Sequence, residues 1–382
     1  MKPMDELRAA RPAHLDTPTD PGTRARELEH AFSQRRQAAS RRGFRPAWAL
    51  GTAGVVTAAA LVAASAGLFD PRQETPTAPT GTPGSATVAL DARTVLLAAA
   101  SQAEAQQEKT GDWWRSESVQ RDLLRVLGEP SYLVYTAERS EMWTPYETGG
   151  ERVDRSQKLG FDFPTPADEA AWKQAGSPSR VSLDVPKPKP KGGPASPGIG
   201  SYEVDRLPGR EETHRAPLLD GDKVFWLGKN VTMKDLQGLP DDPKRLKAWL
   251  LRSYKGHDTE SSGVPMTSEK WLYQVATGLI ADMPVTPKVR GAAFRMLAEL
   301  ETVRVIENVT DLEGRTGTAV AMEKESDGAV ILDRLLFDRT TGRALQRDNV
   351  VLKPGGYQKG LPEGSLNHAV TIVSSGWTDE NP

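Results

Sequence analysis

The feature that most constrains this chain is a run of 23 residues without a charge, Ala47 to Phe69, AWALGTAGVVTAAALVAASAGLF. At about 1.5 Å of rise per residue, a helix of that length covers the roughly 30 Å hydrocarbon core of a bilayer. Arg41, Arg42 and Arg45 stand immediately before it, and Trp48 and Phe69 sit at its two ends, where interfacial anchors belong. Arginine on the N-terminal flank predicts a cytoplasmic N-terminus and an extracytoplasmic C-terminal domain. Residues 1–46 carry ten basic and six acidic side chains, so the tail left inside is basic and the remainder acidic. The rival reading is an export signal. Ser40-Arg41-Arg42-Gly43-Phe44-Arg45 resembles the twin-arginine pattern, and Ala64-Ser65-Ala66 has the form of a cleavage site, so export after cleavage near Ala66 is the alternative. Nine alanines in the run suit that alternative, whereas a leader of about 40 residues suits the anchor better. A buried Ala-rich core helix fits the arginine approach and the Pro/Thr exit less well than either.

The chain then divides into a basic tail (1–46), a transmembrane helix (47–69), a Pro/Thr-rich tether (70–90) and an ectodomain (91–382). The tether DPRQETPTAPTGTPGSAT favours extended, unpacked backbone. There is no cysteine, which rules out disulfides, thiolate catalysis, thiolate metal sites and a lipidated cysteine. A net charge of -2 argues against a protein that coats nucleic acid.

Within the ectodomain, Asp91 is placed to cap a helix to about residue 107, with Val95, Leu96, Ala99, Ala100 and Ala103 on one face. Strands are expected over 112–120 and 132–143, and a helix opens at Thr165-Pro166-Ala167-Asp168. Residues 186–198, PKPKPKGGPASPG, form the strongest break, with a solvated loop the reading for Lys187, Lys189 and Lys191. Helices are then expected from Asp242, Thr267 and Thr286, each beginning at a capping residue. From Val303 the period becomes two, giving strands over 303–309, 316–324, 329–337, 343–352 and 369–374 with short turns that require antiparallel pairing. The fold class is therefore α+β, helices packed on antiparallel sheet, with the helix-then-strand order repeated in the two halves. A half-barrel of the lipoprotein-carrier type is one form such a fold takes.

Chemistry is sparse. No nucleophile elbow, metalloprotease helix, phosphate-binding loop or dinucleotide fingerprint is present, and no catalytic, cofactor or metal residue is assigned. His214, His257 and His368 are far apart in sequence and read as surface or satisfied histidines. Carboxylates are too many to single out a pair, and a glycosidase pair cannot be read from sequence, which leaves a secreted hydrolase as a remote alternative. Tryptophan is more informative. Trp113 and Trp114 are adjacent on an expected strand, so their rings point to opposite faces. Core packing accounts for most of the tryptophans, while Trp113, Trp114 and Trp143 are the candidates for lining an apolar cavity between helices and sheet.

Several segments carry a resemblance: Met4-Asp5-Glu6-Leu7, Arg139-Ser140-Glu141-Met142-Trp143-Thr144-Pro145, Thr165 to Gly176, Pro284 to Leu300, and Thr341-Gly342-Arg343. In these the chain resembles an uncharacterised family of single-pass membrane proteins from high-GC Gram-positive bacteria, often companions of extracytoplasmic-function sigma factors. The resemblance implies a setting in signalling and supplies no catalytic residue to carry over. Topology and resemblance together lead to the expectation of a membrane-anchored sensing or interaction protein that is not an enzyme. Its partners would be the membrane and a cytoplasmic regulatory protein touched by the tail, with no nucleic acid. The alternative is a binder or carrier of lipid or another apolar envelope ligand.

Overall fold

A computed structural model describes residues 91–107, 109–186, 199–226, 229–259, 264–326 and 328–382. The tail, the candidate span with Arg41, Arg42, Arg45, Trp48 and Phe69, and the tether lie outside the described residues. Among the described residues no helix is long and apolar enough to cross a membrane.

The chain runs α1 (Ala92–Glu104), β1 (Trp113–Val126), β2 (Leu133–Pro145), β3 (Glu151–Asp162), α2 (Pro166–Gln174), β4 (Arg180–Pro186), β5 (Ile199–Asp205) and β6 (Glu211–Pro217). A small hairpin of β7 (Lys223–Trp226) and β8 (Lys229–Thr232) follows, then α3 (Met233–Gln237), α4 (Pro243–Leu251), α5 (Ser268–Ala281) and α6 (Pro287–Leu297). The chain closes with β9 (Arg304–Thr310), β10 (Thr316–Ser326), β11 (Ala329–Phe337), β12 (Ala344–Lys353) and β13 (Leu366–Thr378). This is an α+β fold built on one large antiparallel sheet.

The sheet has 11 strands in the order β6-β3-β2-β1-β13-β12-β11-β10-β9, with the β4–β5 hairpin joined to the end of β1. The helix-then-strand order recurs in the two halves, and β1 pairs with β13 from Trp113↔Thr378 to Asp122↔His368, so first and last strands meet and both halves share one sheet. β4 and β5, on either side of the proline-rich residues 187–198 (which lie outside the described residues), pair from Arg180↔Asp205 to Pro186↔Ile199.

Local chemistry explains the helix starts. The side chains of Asp91, Thr165, Asp242, Thr267 and Thr286 each accept a backbone N–H three residues on, and proline follows Thr165, Asp242 and Thr286 at the first helical position. α5 is enclosed on every side, with all residues from Trp271 to Ala281 buried. α1, α4 and α6 pack with it into one core that takes Trp114, Val320, Met322, Leu335, Phe337 and Ile372 from one face of the sheet. Phe294 meets Phe337 edge to face at 5.1 Å in this core.

A second, smaller core lies at the far end of β1–β3. It joins Val126, Tyr132, Val134, Phe161, Val181 and Leu183, and is closed by Trp172 of α2. Two contacts fix α2 there: Asp168 Oδ1 accepts from the Leu133 N–H at 2.9 Å, and Trp172 Nε1 donates to the Pro178 carbonyl at 3.0 Å. Gly160, at φ +86°, is required by close approach: a Cβ there would collide with the Arg206 backbone just past β5.

Candidate functional site

Side chains alternate between the two faces of a strand, and the register then sorts the sheet into two surfaces. Trp114 and Leu124 face the helices and the smaller core, so Ser116, Ser118, Gln120 and Asp122 between them share that face. Opposite these on β2 are Met142, Ser140, Glu138 and Thr136, and on β13 His368 lies across from Asp122. Along β1 the helix-side face is therefore apolar at both ends and polar between them, and Asp154, Ser156 and Lys158 carry the polar stretch onto β3. The middle residues of β1 and β2, and His368, are half-buried.

The centre of this stretch is a tied cluster. His368 Nδ1 lies 2.7 Å from Asp122 Oδ1, and Gln120 Nε2 donates to Asp122 Oδ2 at 2.7 Å. A carboxylate only accepts, so Nδ1–H is the donor and Nε2 faces away from Asp122. The side chains of His368 and Asp122 are 14% and 28% exposed, which leaves the pair within reach of a ligand. Burial pushes the Glu138 carboxyl above the usual glutamate range; Asp122 and Glu212 add to this, while Lys158 and a Ser156 hydrogen bond oppose it. Tyr202 of β5 stands over the same ground. Burial raises its phenol, and the negative charges of Asp122 and Glu138 raise it further.

This arrangement offers carboxylate oxygens, hydroxyls and one imidazole nitrogen to a ligand rich in hydrogen-bond donors. Among the described residues no hydroxyl is hydrogen-bonded to the His368 ring, and no group of three or more His, Asp or Glu side chains could hold a metal ion. Sequence reasoning missed this site because Asp122 and His368 are 246 residues apart. Only the pairing of β1 with β13 brings them together.

The tryptophans singled out above do not converge on one cavity. Trp114 is buried against the helices and meets Trp377 edge to face at 5.5 Å. Trp143, paired with Arg115, lies on the opposite face with Trp113, where it is buried beneath the Arg115 guanidinium at 5.2 Å. That opposite face is a ladder of charges. Glu117 binds Arg139 and Arg115, and Glu141 binds Arg115 and Arg155. It continues through Arg334, which grips Asp348 with two hydrogen bonds of 2.6 and 2.9 Å.

Of the other histidines, His214 is exposed opposite Asp154, and His257 Nδ1 lies 2.8 Å from the Asp258 carbonyl. A separate cavity of about 150 Å³ lies near the β1–β2 turn, between Tyr132, Pro178 and Val181.

No family model matches the chain, and no curated protein matches it. Among solved structures, a domain described as an outer membrane lipoprotein-sorting protein from Vibrio parahaemolyticus aligns at 10% identity, over 73% of this chain and 91% of that one. Its TM-score of 0.15 is too low to support an argument about either fold or ligand.

Proposed function

We propose that this chain is a membrane-anchored extracytoplasmic recognition module, not an enzyme, that takes a polar, donor-rich ligand on the helix-side face around Asp122, Glu138 and His368. The observation that carries this reading is the change along one face of β1 from apolar to polar and back. On β10 and β11 the same face is mainly apolar, with Val320, Met322, Leu335 and Phe337 against the helices, and its Lys324–Asp333 pair is enclosed. The uncharged run and its arginines supply the anchor, and the basic tail supplies contact with a cytoplasmic regulator in sigma-factor signalling.

Two experiments test the two parts. Thermal-shift screening of the full chain against small cationic and polyhydroxyl compounds should give hits that Asp122→Asn abolishes and the exposed control Glu203→Gln keeps. Hits that survive Asp122→Asn would displace the site. Deleting residues 1–46 while keeping the anchor should silence the associated transcriptional response, and an unchanged response would remove the signalling part.

A second reading, a binder of apolar envelope molecules on a half-barrel sheet, is favoured by one observation. Trp114, Trp377 and the exposed Tyr146 form a stepwise aromatic path from core to surface, with centroids 5.5 and 5.6 Å apart. Tryptophan emission that shifts on adding an apolar probe, and no longer does so in Trp377→Ala, would support it.

A further inference from the structure

We propose a second, independent site: an oxyanion-binding position at the junction of α1, α6 and the β11–β12 turn, built on Arg290 and Arg343. Nε of Arg290 is buried with no hydrogen-bond partner, and among the described residues no carboxylate pairs with its guanidinium. A buried, uncompensated guanidinium is costly, and charges in such positions are ordinarily paired. The nearby carboxylate is already used. Glu104 of α1 lies against Gly291, but both its oxygens accept from Arg295, at 3.0 and 2.7 Å.

The neighbour that does act on Arg290 carries the same sign. Arg343 sits in the β11–β12 turn, where its Nε donates to Gln106 Oε1 at 3.4 Å while the Gln106 amide donates to the Thr341 carbonyl. Burial first, and repulsion from Arg343 second, push the Arg290 guanidinium down to about 10. Gly342 lets the turn sit close against α1, since a Cβ there would collide with the backbone of Ala99 and Ala103. Arg290 as a whole residue is half-buried, and Arg343 is exposed, so an anion can enter from solvent. Two guanidiniums with one buried and unsatisfied donor match a phosphate-type oxyanion, which takes forked hydrogen bonds and carries the charge to answer both.

The proposal does not rest on the recognition face described above. The phosphate could belong to a free anion or to an anionic lipid headgroup, and the test separates them. The full chain is melted in inorganic phosphate and in chloride of matched ionic strength, beside Arg290→Met. At about 100 times its dissociation constant, phosphate should raise the wild-type Tm by roughly 5–10 °C. Arg290→Met should lose that rise and, without phosphate, melt at or above wild type. Arg343→Met should weaken phosphate binding about tenfold. If Arg290→Met fails to fold, Arg290→Lys serves, with the charge kept and the fork lost. Cosedimentation with vesicles of equal phosphatidylglycerol and phosphatidylcholine then identifies the source: binding lost in Arg290→Met and competed by phosphate assigns the headgroup, and its absence beside a phosphate shift assigns the free anion. Equal phosphate shifts in wild type and Arg290→Met, or no shift together with vesicle binding indifferent to the substitution, would overturn the site.

Discussion

The two ends of the single sheet are built differently. From β9 to β12 the helix-side face disappears under α1, α5 and α6, and even its polar groups are enclosed: Tyr273 donates to the Val320 and Asp333 carbonyls, and Lys324 pairs with Asp333. Along β1 the same face has apolar cover only at its ends and a polar, half-buried middle. A domain that needed only stability would cover both ends alike, because buried apolar area is the main favourable contribution to folding. The enclosed end is scaffold. The open end leaves its polar groups half-buried.

The largest expected effect tests that division directly. Phe294→Ala removes a fully buried ring from the main core and should cost about 3–5 kcal/mol in urea denaturation. Phe161→Ala, in the cluster under α2, should fall at about 3 kcal/mol, because a small cluster at a domain end can collapse around the loss. Hydrogen exchange should show α2 and the end of β1 opening in Phe161→Ala while α5 stays protected. If α5 opened equally, the two cores would be one cooperative unit and the comparison would fail.

Next in size is Tyr273→Phe. Its hydroxyl bridges two strands from inside α5, at 3.2 and 2.8 Å. Losing both bonds in a site closed to water should cost about 1–3 kcal/mol. A cost near zero would mean that water reaches the scaffold end after all.

What the sequence disclosed follows the same division. Every helix start that was read, at Asp91, Thr165, Asp242, Thr267 and Thr286, has a local cause, a side chain that caps its own backbone. Strands β9 to β12 were legible because short turns separate runs of period two. β3 and β6 were not. Glu151–Asp162 carries charge on both faces, Arg155 in the outer ladder and Asp154 and Lys158 across from Met142 and Glu138 on the helix side, and Glu211–Pro217 is exposed along nearly its whole length at the sheet edge, so neither shows an apolar rhythm. Trp113 and Trp114 were correctly sent to opposite faces by alternation alone, but which ring met the helices depended on β13. The polar cluster of Asp122 and His368 could not be read at all, since β1 and β13 are neighbours only in space.

Asp122→Asn sharpens the functional half of the comparison. It keeps the shape and the hydrogen bond from Gln120 but loses the charge-assisted bond from His368, so stability should fall by about 1–2 kcal/mol. Ligand binding should be lost as well. A stability loss well beyond that range would make the pair structural and return the open end to the scaffold.

The smallest effect is a pH dependence at Glu138. Its carboxyl is raised by burial, with Asp122 and Glu212 adding repulsion, so the folded protein holds that proton more tightly than the unfolded chain does. Stability from this source is fully present below the ordinary glutamate value and is lost as pH rises through the raised one. Glu138→Gln never acquires the charge. It should therefore match wild type in acid and exceed it at neutral pH by about 0.2–1 kcal/mol, the range for part-exposed charges. Ligand reverses the order: a cation seated between Asp122 and Glu138 favours the ionised carboxyl, so wild type should gain more stability from it at neutral pH than the glutamine variant. Parallel melting curves for the two proteins from acid to neutral pH would show that the open end carries no strained charge for a ligand to relieve.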